Sequence, residues 1–174
     1  MVKIKLKLRY NIKSNEFFDI LTSENFYKYL LDRDKDLNSF KILYLTESSN
    51  FKNFKIILNF NSFIPEKVKK MFPDLLDDSV TETVLYNKSN KECKVNCDTN
   101  SLKLLKSNMN YFYKLRDNNG YCEQIIIYNF NCNLPIIHKM IEKNAESKIK
   151  EKSSFMYNIL YEFIDNVYNK NKKN

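Results

Sequence analysis

The chain has 174 residues, a formal net charge of +8, one glycine and four cysteines, a length that suits one domain with a core of its own. With Gly120 as its only glycine it lacks the phosphate-cradling loops of the common nucleotide-binding designs, where glycines let the backbone approach phosphate. Every base except Arg9, Arg33 and Arg116 is a lysine or the single histidine, which leaves few of the bidentate forks that read phosphates and bases; the charge reads as a solvated surface, not as a nucleic-acid site.

Residues 2–12 alternate strictly, with Val2, Ile4, Leu6, Leu8, Tyr10 and Ile12 on one side and Lys3, Lys5, Lys7 and Arg9 on the other. That period predicts a half-exposed antiparallel strand with one basic face. Ser14 is placed to cap a short helix through Phe17, Phe18, Ile20 and Leu21. Ser23 is placed to cap a second one carrying Phe26, Tyr27, Leu30 and Leu31, which the charged run Asp32 to Asp36 ends. Segments 40–46 and 51–60 predict a hairpin around Ser48, Ser49 and Asn50. Phe63-Ile64-Pro65 predicts a short helix running to Pro73, with proline in its first turn. Residues 79–87 and 92–98 predict the next hairpin, turning at Asn87 to Asn90. Residues 109–116 and 121–131 predict the last, joined by Asp117-Asn118-Asn119-Gly120, where Asn-Gly tolerates the positive φ of a tight turn.

From Leu134 the period lengthens to that of a helix, with Pro135 suited to its first turn. Ile137, Met140, Ile141, Ala145, Ile149, Met156, Ile159, Leu160, Phe163, Ile164 and Val167 recur at threes and fours, around a polar middle from Glu142 to Ser154. Residues 1–168 read as one domain and 169–174 as a frayed basic tail. No stretch reaches the roughly 20 apolar residues of a membrane span, and the opening strand does not have the pattern of a signal peptide. The expected setting is therefore intracellular and cytoplasmic, peripheral at membranes. Cys93, Cys97, Cys122 and Cys132 form no C-x-x-C pair, and His138 is the one histidine that could join them. The spacing argues for buried free thiols and against a metal centre, so no metal or cofactor is expected.

Taken together the elements run strand, two short helices, two strands, a short helix, four strands and one long helix. Seven antiparallel strands in one sheet curl through their own twist. The only element large enough to cover the concave face is the last helix, which leaves room for a cavity. This order resembles the helix-grip fold of the START-like (SRPBCC) superfamily over roughly residues 2–167. Individual segments are similar to those of single-domain members: Phe17-Phe18-Asp19-Ile20-Leu21-Thr22, Pro65 to Phe72, Thr81-Glu82-Thr83, and Pro135 to Glu142. The resemblance implies an α+β fold in which a curved seven-stranded sheet wraps around the long C-terminal helix, with two short helices after the first strand. It implies, by analogy of fold, the binding and intracellular transfer of a lipid or other apolar small molecule between sheet and helix. A monomer without catalytic activity, making transient contact with anionic membrane surfaces, is expected. A co-chaperone-like adaptor whose pocket is filled by its own side chains is the alternative, and a cyclase-type enzyme the third reading.

The cavity candidates are Phe60, Phe63, Tyr86, Met140, Ile141 and Ala145 for an apolar lining, with Tyr111 and Tyr113 to supply hydroxyls inside it. Glu82 shares parity with Val80, Val84 and Tyr86 and lines the interior if they do; if Thr81, Thr83 and Leu85 point inward, it faces solvent, the simpler reading. Asn144 and Lys148 lie one helical turn apart and could meet an anionic head group, or simply form the helix's solvent face. His138, alone in the first turn of the last helix, reads as a solvated or capping residue.

Overall fold

A computed structural model describes residues 1–60, 70, 79–104, 106–133 and 138–171. The strands are β1 (Val2–Tyr10), β2 (Leu37–Glu47), β3 (Phe51–Phe60), β4 (Ser79–Asn87), β5 (Glu92–Asp98), β6 (Ser107–Asn118) and β7 (Tyr121–Cys132). Helices α1 (Ser14–Leu21) and α2 (Glu24–Leu31) follow β1, α3 (Asn100–Leu104) follows β5, and the long α4 (His138–Phe163) follows β7. The expected helix at Phe63 to Pro73 lies outside the described residues, apart from Lys70, which is helical.

All seven strands form one antiparallel sheet in the order β1-β7-β6-β5-β4-β3-β2. β2 to β7 make a meander, and β1 joins the far edge, with Leu6 opposite Ile126. The chain therefore crosses from one sheet edge to the other between β1 and β2, and α1 and α2 make that crossing. The alternation of β1 appears directly in the structure: Ile4 and Tyr10 are buried while Lys3, Lys5, Lys7 and Arg9 are exposed. The edge strand β2 carries register shifts between Leu37 and Ser39 and between Ile42 and Tyr44, irregularities of the kind that discourage edge-to-edge pairing. The β6–β7 turn has Asn119 at φ 33° and Gly120 at φ 91°, which is why Asn-Gly stands there.

Two local expectations change. Ser14 is the first residue of α1, with Lys13 at the cap position, and it does not cap the helix. Instead its backbone N–H and hydroxyl both donate to the Asp117 carboxylate, at 2.7 and 2.8 Å, tying α1 to the end of β6. Helix α3 was not expected; Thr99 accepts from the Leu102 N–H at 3.3 Å and starts it, and Lys106 at φ 46° turns the chain into β6. Ser23 does cap α2, accepting from the Phe26 N–H at 3.2 Å.

The described core falls into two clusters. The larger joins Phe17 and Phe18 of α1 and Phe26, Tyr27 and Leu30 of α2 to Phe54, Tyr86, Tyr113 and Leu115 of the sheet and to Ile159, Leu160, Phe163 and Ile164 at the end of α4. A π-helical turn, Ile164–Tyr168, extends α4 there. The smaller groups Ile4, Phe130 and Cys132 with Ile141 and Ile149, beneath the beginning of α4. Between them lies the candidate site.

Candidate functional site

The concave face of the sheet can be followed strand by strand along the pairing register. One row runs Ile42, Ile56, Glu82, Cys97, Met109, Phe130 and Val2. The next runs Leu45, Phe54, Val84, Val95, Tyr111, Tyr128 and Ile4. Glu82 is thus a carboxylate in a row otherwise made of aliphatic, aromatic and sulfur side chains. Its parity follows from its strand, since Val84 and Tyr86 are buried while Leu85 is 40 % exposed. The solvent-facing expectation for Glu82 is therefore corrected: it points into the interior, because Val84 and Tyr86 take the core side.

Within the fold Glu82 is held by weak donors. The Tyr111 hydroxyl donates to both carboxylate oxygens at 3.3 Å, and the Cys97 thiol lies 3.8 Å away. Among the described residues it makes no ion pair. Burial pushes its carboxyl above the ordinary range, and the bonds from Tyr111 and Cys97 only partly offset this. The same burial raises Tyr111 and Cys97, with the charge of Glu82 as the next cause in each. Protein surrounds the carboxylate, yet part of the residue's surface remains accessible.

The polar group continues towards the helix. The Tyr111 and Tyr128 rings lie 5.0 Å apart, and the Ser153 hydroxyl of α4 donates to the Tyr128 hydroxyl at 3.1 Å. Burial raises the Tyr128 hydroxyl to about 12, against the lowering effect of that bond. Cys97, Glu82, Tyr111, Tyr128 and Ser153 thus form a polar belt between the two apolar clusters. Beside it Lys152 anchors α4 by ion pairs to Asp34 at 3.1 Å and Asp36 at 2.7 Å, and its ammonium lies 5.9 Å above the Phe60 ring.

The structure sorts the remaining candidates. Phe60 is partly buried against the larger cluster. Tyr86, stacked on Phe18 at 4.3 Å, and Tyr113, edge-on to Phe17 at 6.5 Å, are packing residues of that cluster. Ile141 is buried, Ala145 packs beside it, and Asn144 is partly buried. Met140, at 43 % exposed, stands opposite the buried stripe through Ile141, Ile149 and Ser153, whereas Lys148 stands at the edge of that stripe, exposed and paired with Glu151 at 2.8 Å. Phe63 lies outside the described residues. Cys97, Tyr128 and Ser153 were missed by sequence reasoning. Ser153 had a signal, since it continues the stripe Ile141, Ala145, Ile149 at intervals of four.

Among the described residues no cluster of three histidine, cysteine or acidic side chains could hold a metal ion, and no helix is long and apolar enough to cross a membrane. An open surface hollow of about 300 Å³ lies beside Tyr157, Asn158, Tyr161 and Glu162.

No protein-family profile matches the chain, and no curated protein resembles it in sequence. Solved structures do resemble it in shape. A START superfamily protein from Mycobacterium smegmatis aligns over 92% of this chain and 98% of its own, with 7% identity and a TM-score of 0.55. The Zhui aromatase/cyclase from Streptomyces sp. R1128 aligns over 96% and 97%, with 8% identity and a TM-score of 0.60. Norcoclaurine synthase from Thalictrum flavum aligns over 95% and 87%, with 11% identity and a TM-score of 0.61. Such identities speak for the fold alone, one shared by enzymes and other proteins. With its seven-stranded curved sheet, two helices after the first strand and long closing helix, the chain has the START-like helix-grip fold.

Proposed function

We propose that the protein binds a lipid or other apolar small molecule between the concave face of the sheet and α4, with the ligand's polar end at Glu82 and Tyr111. The observation that carries this reading is the belt itself: an enclosed carboxylate with weak partners, accessible surface remaining, and apolar rows on either side. A group so placed costs stability unless something pairs with it. Retention of such a residue suits a binding site, where a few polar groups fix a ligand's orientation in an otherwise apolar lining.

Binding without turnover is the reading preferred here, although the fold also serves enzymes. The titratable groups gathered around Glu82 are Tyr111, Tyr128 and Cys97, all weak acids whose protons burial retains. They can anchor a ligand, and the only group among these described residues that could act as a base is Glu82 itself. Transfer of the cargo would need a membrane approach, for which Lys3 and Lys5 on β1 offer attraction to anionic lipid, while Lys7 and Arg9 in the same row pair with Glu123 at 2.8 and 3.9 Å.

Extraction of the purified protein followed by mass spectrometry tests the reading. A stoichiometric apolar molecule is expected, and its loss on blocking the interior by Ser153→Trp. A protein that emerges empty and takes up no amphiphile overturns it and leaves the adaptor reading.

A further inference from the structure

Resting on that reading, we propose that the preferred ligand is a cationic amphiphile, such as a long-chain amine, whose ammonium group pairs with Glu82. The enclosed belt holds one carboxylate and no base among the described residues. The side chains that surround Glu82 are the acids Tyr111, Tyr128 and Cys97, with Tyr27 and Cys93 also within reach of its charge. The described lysines near this part of α4 are already engaged at the rim: Lys152 with Asp34 and Asp36, Lys148 with Glu151.

Consider three ligands of equal chain length. A carboxylate or phosphate head placed at the belt would bring a second negative charge against Glu82, in surroundings that screen poorly. A hydroxyl head could donate one hydrogen bond to an oxygen that Tyr111 holds loosely. An ammonium head donates three and neutralises the charge, converting an unfavourable buried carboxylate into a charge-assisted pair. Tyr111 donates to both oxygens of Glu82 at the same 3.3 Å, longer than a strong hydroxyl–carboxylate bond, so the carboxylate retains acceptor capacity for the newcomer. The Tyr111 and Tyr128 rings add faces against which a cation is attracted. The cationic head satisfies every feature of the belt at once.

Isothermal titration calorimetry with dodecylamine, dodecanol and dodecanoate at neutral pH, all below micellar concentration, tests this. Dodecylamine is expected to bind about tenfold more tightly than dodecanol and dodecanoate about tenfold more weakly, the scale of one charge-assisted contact. In Glu82→Gln the advantage of the amine should fall to within about threefold while dodecanol binds as before. If dodecanol binds but the amine is no better, or its advantage survives in E82Q, the inference is overturned and the apolar site stands. If none of the three binds, both fall. Should E82Q not fold, the order of affinities in the unaltered protein decides, and dodecanoate as the tightest ligand overturns the proposal.

Discussion

Beneath the C-terminal half of α4 the described residues bury twenty-four side chains in one apolar cluster, whereas beneath its N-terminal half they bury five. The first region is dense with rings: Phe26 meets Phe163 and Tyr27, each at 5.5 Å, and Tyr10 meets Phe17 at 4.8 Å. The second groups Ile4, Ile141 and Ile149 with Phe130 and Cys132, and between the two the sheet presents Glu82, Tyr111 and Tyr128. One end of the helix is gripped by aromatic packing, while near its middle Ser153 meets the belt through Tyr128. The fold's stability and its proposed function therefore draw on different parts of the same interface.

Mutations can sharpen or break that contrast. Phe26→Ala, at 0 % exposure in the aromatic end, should cost about 4 kcal/mol of unfolding free energy by chemical denaturation. Ile149→Ala in the smaller cluster should cost about 2 kcal/mol, near the lower limit for such truncations, because fewer of the described residues pack there. Equal losses at the two sites would remove the distinction. Lys152→Met leaves the buried Asp34 carboxylate without its ammonium partner, and about 1 kcal/mol is expected, since Lys152 is itself partly exposed.

Glu82→Gln should have the smallest effect and the opposite sign. Burial raises the Glu82 pKa in the folded state, so the neutral form is the one folding favours. Its contribution is present below the unfolded carboxyl value of about 4.3 and is lost as pH rises through the higher folded value. Melting curves of the two proteins should coincide near pH 4, and the Gln variant should melt higher at pH 8. A variant less stable at pH 8 would show that Glu82 has a strong cationic partner in the folded protein.

Strand alternation in residues 2–12, the Asn-Gly turn and the helical period after Leu134 could be read from the sequence, because each is a local signal that tertiary packing reinforces. Helix α3 escaped because five residues carry little periodicity, and Ser14 was misplaced because its partner, Asp117, is distant in sequence. The site was harder to read. Glu82's face could not be read from the letters of its own strand; the burial of Val84 and Tyr86, with Ile56 and Cys97 across from Glu82, places it inside. Tyr128 is one tyrosine among twelve until the register sets it beside Tyr111. Met140 was read inward because it follows the threes and fours of the apolar positions, yet it stands opposite the stripe through Ile141, Ile149 and Ser153; Lys148, left open between a head group and solvent, is exposed.

The most direct test of a ligand held at the belt is a nuclear magnetic resonance titration of the isotope-labelled protein with dodecanol or dodecylamine. The account predicts saturable shifts at Glu82, Cys97, Tyr111, Tyr128 and Ser153, with Phe17, Phe18 and Phe26 in the aromatic end unmoved. Shifts confined to the outer row of Lys3, Lys5, Lys7 and Arg9, or none at any concentration, would contradict it.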